Sequence, residues 1–78
     1  MASRPAYRLG DLQLRILKVL WRHGPASVAE VHQALSPSRL AYTTVATMLR
    51  KMEGRGLVRH REQGRRFIYE AAVTAEEV

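Results

Sequence analysis

Thr43, Thr44 and Thr47, with Arg50 and Lys51 one turn further on, are the residues of this 78-residue chain whose types and spacing best suit a defined chemistry. Set at 100° per residue, Ala41, Val45, Met48, Leu49 and Met52 fall on one side of a helix, and Thr43, Thr47, Arg50 and Gly54 on the other. The outward face offers hydroxyls that both donate and accept, followed by cations. A catalytic helix would need an acid, a base or a nucleophile in that place. A helix lying in a DNA major groove needs short hydrogen-bonding side chains near its start and cations further along. The same pattern taken alone also fits an ordinary amphipathic helix with a solvated face, so the flanking segments decide.

Other candidates for chemistry are weaker. His23, His32 and His60 lack metal-ligand spacing, and no cysteine or acid cluster accompanies them, so they read as surface residues and no metal site or cofactor is expected. Ser27 and Ser36 have no histidine placed by a recognisable motif, so no catalytic residue is expected. Trp21, at helical spacing with Leu14 and Leu17, reads as core and not as a stacking platform.

The elements that must position residues 41–54 are legible on both sides. A first helix is expected from Asp11 to Arg22, with Leu12, Ile16, Val19 and Leu20 on one face and Gly24-Pro25 as its stop. Leu14, Leu17 and Trp21 form a second apolar stripe on it, which the hairpin, a partner chain or a further segment must cover. Ser27-Val-Ala-Glu30 has the spacing of a capping box, so a second helix is expected from Ser27 to near Leu35, broken by Ser36-Pro37-Ser38. The third helix begins near Ala41 and closes before Gly56, with Gly54 and Gly56 as two possible left-handed caps.

From Leu57 the period changes to two. Arg59-His60-Arg61, a turn at Glu62-Gln63-Gly64-Arg65 and Arg66-Phe67-Ile68-Tyr69-Glu70 read as a β-hairpin with Phe67 and Tyr69 facing the body and Arg66 facing out. The expected fold is mainly α, a small α+β winged helix-turn-helix: a three-helix bundle with a C-terminal two-stranded hairpin as the wing.

Composition agrees with a nucleic-acid partner. Thirteen Lys and Arg against seven Asp and Glu give +6, and the pI is about 10.8. Residues 39–66 hold eight of the cations and two of the anions. No run approaches the ~18 apolar residues of a membrane span, and Met-Ala-Ser-Arg-Pro lacks the apolar core of a secretory signal, so the cytoplasm is the expected location. Residues 1–8 are expected to be a flexible arm and 9–73 the DNA-binding domain. Thr74-Ala-Glu-Glu77 repeats the capping-box spacing, so 74–78 is expected to open a further helix of a longer protein.

Taken together, Leu9-Gly-Asp-Leu-Gln-Leu-Arg-Ile-Leu-Lys-Val-Leu-Trp21, Ser27-Val-Ala-Glu-Val31, Ala41-Tyr-Thr-Thr-Val-Ala-Thr-Met-Leu49, Gly56-Leu-Val58 and Arg66-Phe-Ile-Tyr69 resemble the penicillinase-repressor family, the group of BlaI, MecI and the copper repressors. The resemblance implies a bacterial transcriptional repressor, not an enzyme, whose winged helix binds a palindromic double-stranded operator with TACA- and TGTA-type half-sites. It further implies control of antibiotic-resistance or stress genes, and a homodimer formed only through a helical C-terminal domain not present in this sequence. By position it puts Thr43, Thr44 and Thr47 near base edges, and Tyr42, Arg50, Lys51, Arg65 and Arg66 on phosphates. This chain departs from the family at the first helix, where Gly10 and Gln13 replace the usual Ser or Thr and Glu, and it lacks the cysteine cluster of the copper-responsive members. A winged helix that binds protein instead of DNA is the alternative; a complex with DNA must weaken linearly with log salt, and the alternative need not.

Overall fold

The computed structural model describes residues 9–35 and 40–77. The arm at 1–8, the Ser36-Pro37-Ser38 break and Val78 lie outside the described residues. Within them the order is α1 (Asp11–His23), β1 (Ala26–Ser27), α2 (Val28–Ala34), α3 (Tyr42–Gly54), β2 (Val58–Gln63) and β3 (Arg66–Ala71), followed by a single 3-10 turn, Ala75–Glu77. This is the winged-helix arrangement, with one addition. Ala26–Ser27 pairs antiparallel with β3, so the wing is rooted in a three-stranded sheet of order β1-β3-β2 and not in a lone hairpin.

Local signals account for most boundaries. Gly10 caps α1 without a side-chain bond, in keeping with the loss of a serine or threonine there. The vacated partner position is used otherwise: the Gln13 amide donates to Met48 Sδ at 3.3 Å and its oxygen accepts from Arg55 Nη1 at 2.7 Å, tying α1 to α3. At α2 the capping box is complete, Ser27 Oγ accepting from the Glu30 amide and Glu30 Oε1 from the Ser27 amide.

The end of α3 resolves the choice between its two glycines. Gly56 takes the left-handed conformation (φ +78°), its amide donates to Glu53 O at 3.0 Å, and the Leu57 amide donates to Met52 O at 2.9 Å. These are the two bonds of a Schellman motif, closed by the buried pair Met52 and Leu57. The hairpin turns on Gly64-Arg65, with Gly64 at φ +65° in the first central position and Arg65 at negative φ, as in a type II′ turn.

One core joins every element: Ile16, Leu17 and Leu20 of α1, Val31 and Leu35 of α2, Val45, Leu49 and Met52 of α3, then Leu57, Val58, Tyr69 and Val73. Each such side chain contributes roughly 1.5–3 kcal/mol by leaving water. The second stripe of α1 is covered within the chain. Leu17 is fully buried, Trp21 packs on the core, and its indole Nε1–H donates to Val73 O at 2.9 Å, where the chain leaves β3. Leu14 stays half-buried at its edge.

Two expected facings change. Ala41, placed on the core side, is the exposed residue preceding α3. Phe67 shares the face of Tyr69, yet it is 43% exposed whereas Tyr69 is 3% exposed. Phe67 lies one step further out along the hairpin, where it borders an open groove and meets the His60 ring, and Ile68 on the opposite face is buried instead.

Candidate nucleic-acid interface

Helix α3 turns Val45, Leu49 and Met52 inward, so Thr43, Thr44, Thr47, Arg50 and Lys51 are exposed. Its first turn carries no acid and its start has no side-chain cap. The amides of Tyr42 and Thr43, ahead of the first intrahelical bonds, therefore point outward with the positive end of the helix dipole.

The eight residues singled out in the sequence fall into two adjacent depressions. Thr43, Thr44, Thr47 and Lys51 line one with Met48, about 250 Å³ in volume and open along the outer face of α3. Tyr42, Arg50, Arg65 and Arg66 line the other, a groove of about 420 Å³ between α3 and the wing, together with Ala46, Phe67 and the Ser27–Ala29 start of α2. Arg50 and Lys51, neighbours in sequence, thus serve different sites. The threonines share theirs with lysine, and the wing arginines share theirs with Arg50.

Ion pairs sort the remaining cations. Arg59 Nε is bonded to Glu70 Oε2 across the hairpin at 2.6 Å, which occupies its charge within the sheet. Arg66 Nη2 lies 3.6 Å from Glu30 Oε1, drawing the wing tip toward α2. Arg50, Lys51, Arg61 and Arg65 have no ion pair among the described residues. The Glu30 carboxyl is held below its ordinary range, first by the Ser27 amide, then by the Ser27 side chain and, more weakly, by Arg66. The Tyr69 phenol, beneath the groove, is pushed up by burial and by Glu53, with Arg50 opposing.

The sequence left two features of this surface unread. Phe67 borders the groove because of its place further out along the hairpin, which alternation alone does not reveal. His32 and His60 are also not idle surface residues. His32 Nε2–H donates to Leu40 O at 2.8 Å just ahead of α3, and His60 Nδ1 lies 2.6 and 2.8 Å from the two carboxylate oxygens of Glu53. The partners lie eight and seven residues away across a change of element, beyond the three- or four-residue spacing of a cap or helix pair, so no local motif marks them.

Known proteins share this arrangement. The chain is 49% identical over 53 residues to the transcriptional regulator BlaI of Mycobacterium tuberculosis, a match covering 65% of this chain and 38% of that protein. It is 33% identical over 63 residues to the penicillinase repressor of Bacillus licheniformis, covering 80% of this chain and 49% of that one. The chain thus spans less than half the length of either relative. Two solved structures superpose on it: the DNA-binding domain of the repressor BlaI (TM-score 0.81) and the monomeric form of Bacillus licheniformis BlaI in complex with the blaP half-operator (TM-score 0.79). Each is 27% identical and covers 97% of this chain and 94% of its own. The penicillinase repressor pattern itself matches residues 9–78, and with that pattern running through all three helices and the wing, the chain belongs to the penicillinase repressor family.

Proposed function

We propose that this domain binds double-stranded DNA with sequence preference and, as part of a longer bacterial cytoplasmic repressor, occludes a promoter by occupying a palindromic operator. The observation that carries this reading is the outward row of Thr43, Thr47 and Arg50 on a helix with an uncapped start and no acid in its first turn, flanked by a basic wing. Its support from relatives is the half-operator bound by a neighbour of the same fold. Helix α3 enters the major groove. Thr43, Thr44 and Thr47 meet base edges, where a hydroxyl can donate or accept and a methyl can lie against thymine. Tyr42, Arg50, Lys51, Arg65 and Arg66 contact phosphates, which set register and affinity without carrying sequence information.

Thr74 opens the route to dimerisation in this reading. Its amide donates to Glu77 Oε1 at 2.7 Å, and the Glu77 amide donates to Thr74 O at 3.0 Å, the geometry of a helix start. A helical region following it would pair two copies on the two half-sites, and the domain by itself would bind one half-site weakly because the second contact is no longer intramolecular.

The test is a pair of substitutions read by mobility shift on a duplex selected from a random pool and on an unselected one. Thr47→Ala reduces discrimination between the two duplexes, by about 1–3 kcal/mol if its contact is a good one, while Arg66→Ala weakens both equally. Arg66→Ala altering sequence preference, with Thr47→Ala silent, would reverse the assigned roles. Binding that ignores salt would favour a protein partner for this surface.

A further inference from the structure

Tyr42 and Phe67 are the large hydrophobic side chains left exposed among the described residues, at 49% and 43%, and both line the groove between α3 and the wing. Each leans on a histidine. The His32 ring meets Tyr42 edge-on at 5.9 Å and 77°, and the His60 ring lies against Phe67 at 4.7 Å and 39°. Each histidine is anchored in turn, His32 by the Leu40 carbonyl and His60 by both oxygens of Glu53. His60 also touches the buried Tyr69 ring at 5.5 Å, which fixes it from below. Two aromatic rings are thus kept in water in set orientations, at the edges of a groove whose lining has three arginines and no carboxylate.

That lining specifies an occupant of mixed character, polyanionic yet presenting apolar faces between its charges. A base pair edge offers a row of hydrogen bonds that the Phe67 ring cannot answer and the single Tyr42 hydroxyl can answer only once, and a free phosphate offers no apolar surface. We propose that the groove seats the sugar–phosphate backbone of one DNA strand, with the Tyr42 and Phe67 rings against deoxyribose units and Arg50, Arg65 and Arg66 on the neighbouring phosphates. His32 and His60 are positioning residues that hold the two rings ready. The proposal rests on the duplex-DNA reading above and adds to it an apolar component of affinity that is blind to sequence and releases no counterions.

The experiment is a salt series of anisotropy titrations with a labelled duplex of random sequence, using wild type, Phe67→Ala, Tyr42→Ala and Arg66→Ala. Phe67→Ala and Tyr42→Ala lose about five- to tenfold in affinity at every salt concentration, as expected for lost burial of a ring. Their log–log slopes match wild type, whereas Arg66→Ala lowers the slope by about one unit. His60→Asn reproduces part of the Phe67→Ala loss, and in the Phe67→Ala background it adds nothing, which a purely structural role for His60 would not give. Thermal melts confirm that the variants fold, as the exposure of both rings leads one to expect. Wild-type affinity in both ring variants, or a loss that appears as a reduced slope, overturns the proposal. If that happens while Thr47→Ala and Arg66→Ala behave as described above, only the groove assignment fails. If the wild-type domain shows no salt-dependent duplex binding at all, the DNA reading itself fails.

Discussion

The Glu30 carboxylate serves two elements at once: Oε1 accepts from the Ser27 amide at 2.8 Å and lies 3.6 Å from Arg66 on the wing. Its pKa is lowered in the fold, mainly by the Ser27 bonds, so its stabilising contribution is present above the ordinary value of 4.5 and is lost as pH falls through the lower folded value. Glu30→Gln keeps an acceptor but not the charge. The melting temperature of wild type is therefore expected to exceed that of Glu30→Gln at neutral pH, with the gap closing as pH falls below the ordinary 4.5 and through the lowered folded value; a gap that stays constant across the acid range would refute this. At this scale the sequence spoke unevenly. The capping box at Ser27 and Glu30 was readable because both partners lie within four residues. The occupation of Gln13 by Met48 and Arg55, and of His60 by Glu53 and Phe67, was not, since those contacts exist only after α1, α3 and the wing have packed.

Among the elements, the three helices follow from apolar periodicity and their stops, and each boundary expected for them falls within about one residue of the observed one. Strand β1 had no such signal. Two residues cannot display a period, and Ala26–Ser27 is extended because its backbone bonds to Tyr69 and Ile68, far along the chain. Glycines mark the same difference between local and tertiary causes. Gly64 sits at φ +65° in the hairpin turn, where a side chain costs about 1–2 kcal/mol. Gly54, the last residue of α3, has negative φ and open space where a Cβ would project. Urea denaturation is accordingly expected to give a lower midpoint for Gly64→Ala and a higher one for Gly54→Ala, the latter by about 0.5–1 kcal/mol. Two shifts of the same sign would show that the turn or the helix end is built differently.

For the whole molecule, the relevant quantity is how its +6 charge is disposed. Arg59 is taken up by Glu70, and Arg55 bonds to Gln13. Arg50, Lys51 and Arg65, without an ion pair among the described residues, line the two depressions together with Arg66, whose Glu30 contact at 3.6 Å is long and exposed. With about four phosphates neutralised, the log–log dependence of duplex affinity on salt should have a slope of about −3.6. A slope close to zero, measured by titration between low and moderate salt, would separate this charge distribution from any role in DNA binding. The basic character of the chain was plain in its composition, but the division of those cations between two depressions was not. It depends on the 100° step that turns Arg50 toward the wing and Lys51 toward the threonines.

Trp21 is the sole tryptophan of the chain, and its indole is bonded to Val73 and lines neither depression. The domain therefore carries a built-in optical reporter set apart from both depressions. A change in tryptophan emission during a titration would signal that the seam between α1 and the residues leaving the wing has loosened, and not simply that a ligand has arrived. In a longer chain, the same seam is where mechanical strain from any following segment would first reach the helical core.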